Sequence, residues 1–254
     1  MDSTMDQTTL AYINMYAVLG ALPTLCELSE QARTLLADKS CAVGFAVKGG
    51  PQATLRFANG ACTFEEGAEH CDIKLPFSAP EKFNAMINGT GKPFPSKGFT
   101  KLSFLLGPFT KLTDLLSSYL KPAPGALDDE NFFNVSTTLM IHVIAGAVAQ
   151  IGNHDKVGRA SAGYIVDGVI CLRIVNGPSV GILAQNHVLS AIHTPPKQWM
   201  SYMEFSDIRM ARALFDGKVN AVVCIGNGSV RVGGMVSQID NVNRILDRVG
   251  RYLA

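Results

Sequence analysis

The residues able to do chemistry are few and scattered. Six cysteines, Cys26, Cys41, Cys62, Cys71, Cys171 and Cys224, contain no pair at the two-residue interval of a zinc or redox motif. Five histidines, His70, His142, His154, His187 and His193, contain no two at the i, i+4 interval that puts both rings on one helix face for a metal ion. His70 is followed directly by Cys71, but no neighbouring residue completes a set of four ligands, so the expectation is no metal and no cofactor. Gly89, Thr90, Gly91 and Lys92 have the look of a phosphate loop. Met86 stands where its first glycine belongs, and Pro93 where the magnesium-binding hydroxyl belongs, so a plain turn is expected. Gly226 and Gly228 could open a dinucleotide fingerprint, but Arg231 takes the third glycine position and the segment reads as a hairpin. No Gly-x-Ser-x-Gly elbow occurs. The expectation is a protein that is not an enzyme.

Two further groups could recognise rather than react. Lys92, Lys97, Lys101, Lys111 and Lys121 recur through one region; they read as a solvated face, or as a surface for anionic headgroups or a ligand phosphate. Trp199, Met200, Tyr202, Met203, Phe205, Ile208, Met210, Leu214 and Phe215 crowd what reads as one helical region, roughly residues 196–215. With Met235, Ile239 and Val242 they form either an ordinary core or the lining of an apolar pocket, for which flexible, polarisable methionine is suited.

The composition favours burial. Of 254 residues, 47% are hydrophobic and 17% charged, against about 25% charged in a typical soluble domain. Disorder is excluded by the apolar content, and 22 basic against 21 acidic residues give a net charge of +1, without the basic excess of a nucleic-acid binder. The run from Leu10 to Leu28 is interrupted by Asn14, Pro23 and Glu27 and reads as a buried helix, not a membrane span. Met1 to Gln7 carries two aspartates and no basic residue, the wrong sign for a signal peptide, so a cytoplasmic location is expected.

The elements that must position these residues repeat in order. Thr8, Thr9 and Leu10 open one apolar helical stretch, and Thr137, Thr138 and Leu139 open another. Strand-like runs follow over Cys41 to Lys48 and over Ala162 to Asp167, and the run from Leu55 to Gly60 matches that from Leu172 to Gly177. The run from Phe83 to Gly89 matches that from Ala211 to Gly217. The apolar spacing from Leu102 to Leu120 recurs from Met235 to Leu253. Two homologous halves follow, 1–124 and 125–254, joined at Lys121 to Gly125, where two prolines end a helix. Turns are expected at Asn59-Gly60, Asp167-Gly168 and Asn176-Gly177, and a hairpin of Val219–Ile225 with Val230–Val232 in the second half. In the first half, Pro93 and Pro95 should leave the corresponding strand short or lost.

Phe205 to Leu253 resembles the sterol-carrier-protein-2-like family in its bacterial form. The resemblance is carried by Ala213 to Lys218, Gly228 to Gly234 and Ile239 to Leu246, about a fifth of the chain. It implies an α+β fold, here as two tandem sterol-carrier-like domains. Each would be a mostly antiparallel sheet of about five strands, covered by helices with an apolar tunnel between. It implies no catalytic residues, and a tunnel lined by Leu214, Phe215, Val222, Val230, Val232, Met235, Ile239 and Val242. Trp199, Met203 and Met210 join these as expected ligand-binding residues. The expected partner is an apolar small molecule or lipid such as a fatty acid or acyl-CoA. No nucleic acid is expected; transient contact with a membrane surface and a homo-oligomer are both compatible. Two competing readings are a structural or regulatory protein whose tunnel is filled by side chains, and an enzyme joining His70, Cys71, Glu65 and Glu66 to a second-half histidine.

Overall fold

The structure, a computed structural model, describes residues 5–253; Met1 to Thr4 of the acidic opening segment, and Ala254, lie outside that range. The chain divides into two compact units between Leu139 and Met140. It is α+β, with a four-stranded sheet in the first unit and a five-stranded sheet in the second.

The first unit opens with a helical run, α1 (Gln7–Leu28). Asp6 caps it, its carboxylate accepting from the N–H groups of Thr8 and Thr9 at 3.2 and 3.1 Å. The polar interruptions of this apolar run have local answers. Asn14 is buried, and its amide donates to Asn84 Oδ1 at 3.0 Å. Pro23 sits in the first turn of the closing α-helical stretch, where no amide hydrogen is needed. Over its most apolar stretch the run is 78% buried, so it is a core helix, as its sequence indicates. A short α2 (Glu30–Leu36) leads into β1 (Ser40–Val47), β2 (Gln52–Ala58), β3 (Ala61–Glu66) and β4 (Ile73–Phe77). These pair in the order β3-β2-β1-β4, with only β1 and β4 parallel. The helix α3 (Pro80–Ile87) and a helical run α4 (102–120) complete the unit.

The second unit repeats that order. Its elements are α5 (Glu130–His154, whose first turns belong to the first unit), α6 (Lys156–Ala162), β5 (Gly168–Ile174), β6 (Ser179–Gln185), β7 (Val188–Ile192) and β8 (Ser201–Phe205). Then come α7 (Ile208–Phe215), α8 (Ala221–Gly226), β9 (Val230–Gly234) and α9 (Val236–Leu253). The sheet order is β7-β6-β5-β8-β9, again with one parallel pair, β5 with β8. The correspondence reaches single hydrogen bonds. Val47 N donates to Pro51 O and Lys48 N to Phe77 O, just as Ile174 N donates to Pro178 O and Val175 N to Phe205 O.

Four local expectations are corrected. Ala162 to Asp167 is the end of α6 and a turn, not a strand, because Asp155 caps α6 through Val157 N and Gly158 N at 2.9 Å and commits that segment to helix. The first-half run from Cys41 to Lys48 therefore matches β5, and Asn59-Gly60 matches Asn186-His187, a tight turn in which both residues have positive φ. Asp167-Gly168 makes no hairpin; Gly168 begins β5. The helix expected over 196–215 is strand β8 followed by α7. Residues 201–205 alternate in burial with period two, and Asp207 starts the helix by accepting from Arg209 N and Met210 N. The expected arm from Val219 to Ile225 is not a strand, since its residues from Ala221 onward belong to helix α8. Asn220 accepts from Val222 N and Val223 N at 2.9 and 3.1 Å, a cap that overrides the strand preference of the β-branched residues behind it.

The proline expectation holds. Where the second unit has β9, the first retains a single bridge between Lys74 and Lys97, leaving its sheet one strand smaller.

Two polar contacts fasten the second unit. Asp155 is buried; besides capping α6 it accepts from Arg248 Nη2 at 2.6 Å and Tyr252 Oη at 2.8 Å, both on α9. Burial pushes its carboxyl upward, but Arg248, the Gly158 amide and Tyr252 outweigh this and hold it below the usual range. His142 on α5 and His193 after β7 meet through their Nδ1 atoms at 3.1 Å, with rings 13° from parallel. One nitrogen must carry the hydrogen and the other must be bare, which is the arrangement of a neutral pair. Burial, and to a lesser degree the charge of His193, pushes His142 down to about 4; burial lowers His193 as well.

Both contacts can be tested by unfolding. Replacing Asp155 by Ala strands the Arg248 guanidinium and should cost about 3–5 kcal/mol in urea unfolding, whereas Asp155→Ala combined with Arg248→Met should recover much of it. His142 has a lower pKa folded than unfolded, so the unfolded chain binds the extra proton. Its contribution is complete above about pH 6.5 and is lost as pH falls toward 4, by about 3 kcal/mol at most. Denaturation midpoints across that window should fall for the wild type and fall less for His142→Leu; identical profiles would rule the pair out as the cause.

Candidate apolar cavity in the second unit

The sheet of the second unit presents one apolar face to its helices. Register puts Leu172 opposite Met203 and Met203 opposite Val232, so these three side chains share that face. Arg173, Glu204 and Arg231 are likewise in register on the other face, with Arg173 and Glu204 2.7 Å apart. Over the apolar face lie α5, α7 and α9.

Sheet and helices do not close completely. Between them is a cavity of about 530 Å³, lined by Met140 and Ile144 of α5, Leu172, Met203 and Phe205 of the strands, and Leu214 and Phe215 of α7. Leu246, Val249, Gly250 and Leu253 of α9 complete the apolar lining, and Asp216, Gly217 and Asp247 are its remaining residues. Asp216 is neutralised locally, 2.8 Å from Arg212 Nε and 3.0 Å from Lys218 Nζ.

The core of the first unit is packed with rings. Phe45 packs against Phe83 and Phe109, and Phe57 against Phe104 and Phe109, with centroids 5.4–6.3 Å apart. By strand register and chain correspondence, Phe45, Phe57, Phe83 and Phe109 match Leu172, Ala184, Ala211 and Val242. Four large rings are thus replaced by four smaller side chains, of which Leu172 alone lines the cavity. A depression of about 460 Å³ in the first unit lies at the ends of β1 and β4, lined in part by Lys48, Gln52 and Ser78, and is not the counterpart of this cavity.

Of the residues expected to bind ligand, Met203, Leu214 and Phe215 line the cavity. Val230 and Val242 are buried in the adjoining core, and Val232 and Ile239 are half-buried. Met210 turns its sulfur to the Cys224 thiol at 3.7 Å. Val222 is 77% exposed on α8, and Met235 is exposed. Trp199 is exposed at the polar face of the sheet, with the Arg173 guanidinium 4.9 Å from its ring. Among residues outside the expected set, Met140 and Ile144 belong to the near-uniformly apolar α5, whose sequence gives no sign of which side faces a void. Leu246, Val249 and Leu253 lie on the apolar stripe of α9 that the helical spacing does reveal.

Among the described residues no three His, Cys, Asp or Glu side chains come together as a metal site, and Arg56 holds both the Glu65 carboxylate and the His70 carbonyl. Glu65 pairs with Arg56 at 2.8 Å, His70 is exposed, and the Cys71 thiol is buried, donating to Ala68 O. Neither ring of the His142–His193 pair lines the cavity.

No protein-family profile matches the chain, and no curated protein does. Among solved structures, it is similar to the sterol carrier protein domain 2 of Helicoverpa armigera, with a TM-score of 0.36 and 11% identity over 44% of this chain and 89% of that one. It is similar to a crystal structure of sterol carrier protein 2, with a TM-score of 0.33 and 12% identity over 43% of this chain and 92% of that one. A conserved hypothetical protein of Thermus thermophilus gives 0.30 and 19% over 45% and 87%. Each of these matches covers less than half of the chain's length.

Proposed function

We propose that the second unit binds an apolar ligand, a fatty acyl chain or a lipid of similar girth, in the cavity between its sheet and helices. The observation that carries this reading is the cavity itself, lined mostly by apolar side chains of the sheet, α5, α7 and α9. Its volume of about 530 Å³ lies in the ordinary range of ligand pockets, roughly 300–1,000 Å³. Met140 and Met203 give its wall the adaptability that suits a chain of variable length and kink. The driving force is the removal of methylenes from water, about 0.8 kcal/mol each.

The same features weigh against the alternatives. A tunnel filled by its own side chains describes the first unit better than the second. Of the lining residues only Asp216 and Asp247 titrate, and no nucleophile stands among them, so the lining supports binding rather than turnover. The ligand-binding set becomes Met140, Ile144, Leu172, Met203, Phe205, Leu214, Phe215, Leu246, Val249 and Leu253.

The test is displacement of a fluorescent fatty acid by unlabelled acids of increasing length, alongside mass spectrometry of lipids extracted from the purified protein. Affinity should rise about fourfold per added methylene until the cavity is full. Leu214→Trp and Leu172→Phe, which refill the space, should each weaken binding by about tenfold or more while the fold persists by circular dichroism. A wild-type protein that carries no lipid and displaces no probe at micromolar ligand would end this reading. Trp199, stacked on Arg173 and outside the lining, should report binding only weakly.

A further inference from the structure

The loss of the fifth strand in the first unit sets a segment free, and that segment has an unusual surface. In the second unit, β9 pairs with β8 along five residues. In the first, Pro93 and Pro95 lack the amide hydrogens a ladder needs, and only Ser96 and Lys97 still reach β4, through Lys74. Of the residues released from pairing, Pro95 is buried but Phe94 faces out. Phe94 is 77% exposed, Phe99 55% and Leu106 75%. Phe94 and Phe99 pack edge to face, centroids 6.3 Å apart, forming an aromatic pair on the outside of the protein. Rings in contact with each other and with water contribute little to the core, since the unit's interior rings are the separate group around Phe45 and Phe57.

Charge accompanies the rings. From Asn88 to Thr113 the chain carries Lys92, Lys97, Lys101 and Lys111 and no acidic residue. Lys92, Lys97 and Lys111 are exposed. Lys97 Nζ donates to Cys71 O at 2.8 Å and lies within electrostatic reach of the Asp72 carboxylate, with which Lys101 pairs at 3.0 Å. Exposed aromatic rings interleaved with lysines match the chemistry of a bilayer interface, where rings sit at headgroup depth and ammonium groups meet anionic lipid.

We infer that residues 92–111 form a docking surface for an anionic lipid bilayer, with Phe94, Phe99 and Leu106 entering the interface and Lys92, Lys97 and Lys111 meeting the headgroups. The surface belongs to the first unit alone and does not depend on the cavity.

The experiment is flotation of the full chain with vesicles of phosphatidylcholine alone and of phosphatidylcholine mixed with phosphatidylserine. The wild type should float with the mixed vesicles, far less with the neutral ones, and be released by high salt. Lys92→Gln with Lys111→Gln should weaken binding about thirtyfold. Phe94→Ser with Phe99→Ser should weaken it about tenfold or more. All four side chains are exposed, so both double variants should keep the wild-type melting temperature. Leu214→Trp, which blocks the cavity, should float like the wild type, so failure of one proposal is read apart from failure of the other. Equal flotation with both vesicle types, or wild-type flotation of both double variants, overturns the inference. Retention on an acidic polypeptide resin without vesicle binding also overturns it and assigns the surface to an acidic protein.

Discussion

A sheet that is apolar on one face must have that face covered, and the rest of this molecule follows from how each unit meets the demand. In the second unit the apolar face includes Leu172, Met203 and Val232, while Arg173, Glu204 and Arg231 form a charged row on the reverse. The two-residue period of a strand makes this division absolute: a side chain belongs to one face or the other. Trp199 precedes β8 and stands outside this alternation, with its ring on the Arg173 guanidinium and not in the cavity lining. The apolar face also calls for helices that are apolar over a wide arc, and α1 and α5 supply them, each 78% buried over its most apolar stretch.

The two units cover the same kind of face with different volumes. Phe45, Phe57, Phe83 and Phe109 pack the core of the first, whereas Leu172, Ala184, Ala211 and Val242 hold the matching positions of the second, and of these Leu172 borders the cavity. Protein interiors pack densely and voids cost stability, so a retained cavity is an expense that binding an apolar molecule can offset. The low charge fraction fits this arrangement. Apolar residues go into two cores, the walls of one cavity and an exposed aromatic pair, while the buried charge of Asp155 is fully engaged by Arg248, Tyr252 and the α6 amides.

Helical elements with a cap or a stripe were legible in the chain: α9 from its apolar spacing, α1 with its polar interruptions, and the break at Pro122 and Pro124. The lost strand at Pro93 and Pro95 was legible too, because a missing amide hydrogen is a local property. The errors share a cause. Residues 219–225 and 196–205 are short apolar runs in which helix and strand preferences nearly balance. The decision fell to Asn220 and Asp207, whose carbonyl and carboxylate oxygens cap the helices behind them. The repeat register slipped for a similar reason, since Asp155 commits the stretch before β5 to helix.

By itself the sequence determined much of the order of elements and the absence of a local catalytic motif, because these are written in spacing and turn residues, while the α+β class came from the resemblance carried by Phe205 to Leu253. Only the tertiary structure decided which apolar side chains border empty space. Core and cavity wall have the same composition, and the difference lies in the volume left between α5, α7, α9 and the sheet. The structure alone also paired His142 with His193 across 51 residues and brought Phe94 against Phe99 in the open. A contact between distant residues depends on where the backbone returns, and one-dimensional spacing does not record it.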